Sequence, residues 1–137
     1  MANTFTAAFA QTPKTASAVV TGVATVTSDS PANTVLLVTA GANGAILTRL
    51  WAIPRATVTA SSLVIWISSD GGTTQRIKDS VLMAAQTIAT TTAITNTQFT
   101  NYSETTPLRL AAGDRVYVGS QVALASGIVF TAEFTDY

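Results

Sequence analysis

Seven carboxylates, Asp29, Asp70, Asp79, Glu104, Asp114, Glu133 and Asp136, are the only acids in this 137-residue chain, which has neither histidine nor cysteine. Without histidine the commonest general base, the commonest metal ligand and the Ser-His-Asp triad are all missing. Without cysteine there is no disulfide, thiolate zinc site or Cys nucleophile. Two carboxylates alone suffice to hydrolyse a glycoside. Here, however, no two form a recognisable pair. Asp29, Asp70 and Asp114 sit in turn contexts, where Asp bonds its own backbone, and Glu133 falls on the outward side of a strand pattern. The Lys78-Asp79-Ser80 run offers the types of a Ser-Lys dyad, but a solvated strand face explains it better. "GANGA" and "DGGTT" lack the frame of a phosphate loop and read as turns. "SDS" and "SSDGG" are too sparse in oxygen ligands for calcium. The expectation is a protein that is not an enzyme and has no cofactor or metal. A small β-fold enzyme working through one carboxylate is the weakest alternative.

The elements that would carry these groups alternate with period two, the signature of half-buried strands. Strand-like runs fall at 19–27, 33–40, 45–53, 62–69, 74–83 and 115–123. A last run places Ile128, Phe130, Ala132 and Phe134 on one face, with Thr131 and Glu133 on the other. Asp-Gly between the runs at 62–69 and 74–83 signals a hairpin. Residues 79–93 would also fit a helical face, but the threonines at 90–92 argue against a long helix. Residues 84–106 read as a long polar excursion, of the kind that is often functional. Eight or nine short strands with turns between them predict an all-β sandwich or barrel in a single domain.

Composition points away from chemistry and toward contact. Charged residues make up 10% of the chain, with seven basic and seven acidic side chains, so the formal net charge is +0. Soluble domains carry about 25%, and a monomer usually keeps a more charged surface. Much of this surface is therefore expected to meet protein, including further copies of the chain as a homodimer or homotrimer. No basic stripe marks a nucleic-acid binder. No apolar run approaches the length of a membrane helix, and "MANTFTAAFAQTPK" has no basic stretch of a secretory signal. The expectation is a protein made in the cytoplasm, soluble at least until it assembles.

Five residues stand out as candidate partner contacts. Phe5 and Phe9 alternate within a weakly charged N-terminal stretch. That stretch, 1–14, is either an extended arm that adds a strand to a neighbouring sheet or an ordinary first strand. Arg49 and Arg55 flank Trp51, an arrangement that serves either as an interface anchor or as snorkelling arginines beside a core ring. Tyr102 sits in the long excursion.

The run Leu108-x-Leu110-x-x-Gly113-Asp114-x-Val116-x-Val118, followed by an alternating aromatic strand, resembles the C-terminal half of the complement-globular-head and tumour-necrosis-factor jelly rolls. The resemblance covers about 30 residues and implies a jelly-roll-like antiparallel β-sandwich of about eight strands, with Gly113-Asp114 as a strand corner. It also implies a trimer, whereas a clamp across a two-fold axis would be a dimer. In overall character the chain is similar to the small cement (decoration) proteins of tailed-bacteriophage heads; "DGGTT", "DSVLMAA" and "LRLAAGDRVYVG" carry that look. This resemblance implies a virion protein on the capsid exterior, assembled in the host cytoplasm, that binds the major capsid protein and clamps neighbouring subunits. The alternative is a receptor- or glycan-binding head of a phage tail fibre, with Trp51, Trp66, Tyr102 and Tyr117 as the available rings.

Overall fold

A computed structural model describes residues 12–137. Nine strands run β1 (Thr12–Val20), β2 (Val35–Thr39), β3 (Ala45–Pro54), β4 (Ser61–Ser68), β5 (Arg76–Met83), β6 (Thr97–Gln98), β7 (Leu108–Leu110), β8 (Arg115–Ser120) and β9 (Ile128–Asp136). They form two antiparallel sheets: β1-β9-β3-β6, with β7 also on β3, and β2-β8-β4-β5. With β6 and β7 counted as one interrupted strand, the pairs are first with last, second with second-last, and so inward to the β4–β5 hairpin. That is one long hairpin rolled on itself, the strand order of a jelly roll. The expected all-β sandwich is therefore present.

Alternation explains the core. Along β9, Ile128, Phe130, Ala132 and Phe134 are buried, while Val129, Thr131, Glu133 and Thr135 are half-buried on the opposite face. The buried set of β9 packs with Leu47, Leu50 and Ala52 of β3 and with Leu63, Ile65, Val116 and Val118 of the facing sheet. Each large side chain so buried contributes about 1.5–3 kcal/mol. Three bulges adjust the ladder, with Leu37, Thr48 and Lys78 as the extra residues. Thr48 donates its hydroxyl to the Glu133 carbonyl at 3.2 Å across its own bulge.

One stretch departs from the expected pattern. The run at 19–27 is not a strand beyond Val20; residues 21–33 leave the sheet and strap across the outer face of β8 and β4. Gly22 lies against the Asn33 side chain, and Asn33 donates its amide to the Val23 carbonyl at 2.8 Å, closing the strap into a loop. Beneath it Ala24 and Val26 cover Val64, Trp66 and Tyr117, forming a second small core. Residues 79–93 contain no helix: β5 runs to Met83, and the chain then continues without regular structure to β6.

The excursion at 84–106 is pinned. Gln86 exchanges backbone bonds with Val58 at 2.9 Å in both directions. Its side-chain amide also brackets Thr95, accepting from the nitrogen at 3.1 Å and donating to the carbonyl at 2.9 Å. Phe99 is fully buried in the main core. The open side of the sandwich between β5 and β6 is thereby plugged.

Candidate interaction surface

Most of the carboxylates have structural work. Asp70 accepts hydrogen bonds from the Thr74 nitrogen at 2.9 Å and the Ser68 hydroxyl at 2.8 Å, which tie the β4–β5 turn. These bonds, the Thr74 one foremost, hold its pKa below the ordinary value. Asp114 accepts from the Ala111 nitrogen at 2.9 Å, closing the corner before β8. Asp29 meets Arg76 at 3.3 Å and fastens the strap to β5. Asp79 accepts from Asn101 at 3.1 Å. Asp136 pairs with Lys14 at 2.6 Å and accepts from the Gly41 nitrogen at 3.2 Å.

Glu104 and Glu133 line one open hollow of about 340 Å³ with Pro13, Lys14, Thr15 and Thr48. Glu104 is exposed, and the Glu133 side chain is 42% exposed and 3.8 Å from Arg49. A glycosidase acid sits in an apolar pocket closed off from water, and this hollow is open. Among the described residues no three acids, histidines or cysteines gather as a metal site. No helix there is long and apolar enough to cross a membrane.

Of the predicted contact residues, Phe5 and Phe9 lie outside the described residues. Of the 1–14 stretch, residues 12–14 pair with β9. Arg49 places its guanidinium over the Trp51 ring, 4.9 Å from the centroid. Arg55 turns away and donates Nε–H to the Ser126 carbonyl at 2.7 Å, fastening the turn before β9. Tyr102 is half-buried against the main core beside Asp79. The structure thus joins Arg49 to Trp51 and separates both from Arg55. Among the four rings, Trp66 is fully buried under the strap and Tyr117 is partly covered by it. Trp51 alone of the four projects from an open sheet face.

That face is the outer side of β1, β9, β3 and the short strands beyond. The register lays its residues out in rows. One row is Val19–Val129–Ile53, and the next is Ser17–Thr131–Trp51–Gln98. Then come Thr15–Glu133–Arg49 and Pro13–Thr135–Ile46–Arg109. Ser17 and Thr131 join their hydroxyls at 3.3 Å across the strands. Glu133 and Arg49 pair, so Arg109 is the one charge in these rows without an ion pair among the described residues. The result is a twisted surface of small hydroxyl side chains, with an arginine-covered tryptophan at its centre and an apolar row beside it. Arg and Trp are the types that dominate interface energetics, and depletion of charge is what distinguishes an interface core. The sequence singles out Arg49 but not the Thr/Ser rows beside it, whose signal is the polar half of the β1 and β9 alternation.

The chain matches no family model, no curated protein and no solved structure.

Proposed function

We propose that the chain is a non-enzymatic virion structural protein that binds the outer surface of a phage capsid and cements neighbouring major capsid protein subunits. The outer face of the β1-β9-β3 sheet carries this reading: it is open, low in charge, rich in hydroxyls and centred on Arg49 and Trp51. Four strands about 4.8 Å apart and four rows about 6.7 Å apart span roughly 300 Å². A standard interface uses about 800 Å² per partner, so each copy binds modestly and the effect of cementing comes from many copies. The carboxylates spent on turns and ion pairs support a role in contact over one in catalysis.

The test is mass spectrometric stoichiometry of the chain in purified particles, with wild type beside Trp51→Ala and Thr131→Lys. The expected result is tens to hundreds of copies per particle, roughly the scale of repeated standard contacts, and at least about tenfold lower occupancy for each variant. Absence from particles, or a few copies confined to the tail, overturns the reading.

Trp51 is also the observation that favours the alternative, a glycan-binding head of a tail fibre. Against it, sugar platforms offer an open ring face, and Arg49 occupies one face of this ring. Glycan-array binding lost in Trp51→Ala, together with tail-only location, would establish the alternative instead.

A further inference from the structure

The β5 edge carries the two most exposed large hydrophobic side chains among the described residues, Ile77 at 51% and Leu82 at 68%. Both point outward from the sheet. Their partners on β4 are Trp66 and Ser62, with Ser80 opposite Val64 between them. The outward face of β5 therefore reads large, small, large over four residues of β4, about 13 Å. Beside Ser80 lies a hollow of about 240 Å³ lined by Val26, Ser62, Val64, Ile77 and Gln121. β5 ends its sheet, and among the described residues no backbone group of another segment bonds to its outer edge, although the Ser80 nitrogen donates to the Asp79 carboxylate at 2.8 Å. The bulge at Lys78 blunts one half of that edge, as charges and bulges do on strands that must not pair at random. The other half, Ser80 to Met83, is uncharged.

Residues 1–11 read MANTFTAAFAQ and contain no charged side chain. Phe5, Ala7 and Phe9 repeat the same spacing, large, small, large, also about 13 Å in an extended chain. We propose that this segment of one copy adds a strand to the β5 edge of a second copy, seating Phe5 and Phe9 beside Ile77 and Leu82 with Ala7 over Ser80. Backbone pairing would supply affinity and alternate side chains the register, as in other strand additions.

The topology requires a second copy. The segment joins the fold at Thr12 in β1, which stacks over β2 at one side of the sandwich, whereas β5 lies at the other, beside β6. Crossing three strand spacings and the gap between sheets takes about 17 Å. Phe9 is three residues from Thr12, a reach of about 10 Å. One copy's own β5 edge is therefore out of range, so the segment is exchanged between copies, either reciprocally across a two-fold or head-to-tail around a ring. This inference is independent of what the outer face of the other sheet binds.

Sedimentation velocity of the full chain tests it, using Phe5→Ser/Phe9→Ser as the arm variant and Leu82→Lys as the edge variant. Leu82 is exposed, and unchanged thermal unfolding checks that each variant is folded. The expected result is concentration-dependent association of wild type, weakened at least about tenfold in each variant alone. When the two variants are mixed, a one-to-one pair forms, because one retains an intact arm and the other an intact edge. A monomeric wild type at about 100 μM, self-association that survives in either variant, or no pairing on mixing each overturns the proposal.

Discussion

Gly119 lies flat beneath the Trp66 ring: a Cβ at that position would stand 2.9 Å from the ring and 2.8 Å from the Ala24 Cβ. This close approach lets the strap at 21–33 seal a fully buried tryptophan onto the outside of the β8–β4 sheet. Gly119→Ala is expected to destabilise the fold by about 1–3 kcal/mol, the usual cost of overpacking, and Gly119→Val by more. Urea unfolding read by tryptophan emission measures both. An alanine variant with the wild-type midpoint would show that the strap yields freely and that the second core is not tightly packed.

The same tryptophan carries the one buried side-chain donor without a partner among the described residues, Nε1–H. An unmet buried donor costs about 1–3 kcal/mol, and Trp66→Phe removes it while leaving a cavity. The two effects oppose, so this variant is expected to lose much less than the 3–5 kcal/mol typical of truncating a core aromatic to alanine. A loss as large as that of Trp66→Ala in parallel denaturant titrations would mean that the donor is not a burden in the folded state.

Gly113 and Asp114 test the corner that joins β7 to β8. Gly113 has φ of 76°, and nothing lies within 4 Å of a Cβ built there. Its requirement is therefore conformational, worth about 1–2 kcal/mol for an ordinary residue and more for a β-branched one. Gly113→Val is expected to reduce folding yield and stability. Asp114→Asn keeps an oxygen for the Ala111 nitrogen and is expected to be mild. Equal stability of the valine variant and wild type would remove the left-handed turn from the account.

What the sequence made legible follows from period and turn chemistry. The β9 alternation predicts its core face residue by residue, and Gly113-Asp114 predicts its corner, because both signals are local. Residues 19–27 are equally rich in β-branched side chains, yet only Val20 and the residues before it join the β9 ladder; beyond them Ala24 and Val26 pack on Trp66 instead. That outcome depends on a glycine about 100 positions away, at 119, and no local pattern carries it. Phe99 and Tyr102 look like members of a polar loop because their partners, Leu50 and Asp79, are likewise remote. The proposed interaction face is half legible: Arg49 and Trp51 stand out by type, while the Thr and Ser rows acquire meaning only when register sets them side by side.

Tyr102 gives the fold an alkaline limit. Burial, then the nearby Asp79 carboxylate, raises its pKa well above the ordinary 10.0. The folded state thus keeps a proton that the unfolded state releases. Stability from this group is full below about pH 10 and falls as pH rises beyond it. Tyr102→Phe is expected to flatten that fall, as measured by thermal midpoints from about pH 8 to 11. Parallel alkaline slopes in the two proteins would place the tyrosine outside the titration that matters.

Asp136 sets the opposite limit. Its side chain is 10% exposed, 2.6 Å from Lys14 Nζ, and accepts from the Gly41 nitrogen. The Lys14 hydrogen bond is the main cause of its lowered pKa, which burial partly opposes. A depressed carboxylate binds fewer protons folded than unfolded. Its stabilisation is present above the ordinary value near 3.8 and is lost as pH falls through the folded value. Asp136→Asn should therefore lower the thermal midpoint by a constant amount near neutrality, and that gap should close below about pH 4. Lys14→Met should reproduce much of the neutral-pH loss, because it takes away the same contact from the other side. A gap between Asp136→Asn and wild type that does not narrow at all as pH falls below the ordinary carboxylate range would mean that the contribution of Asp136 is one of shape rather than charge.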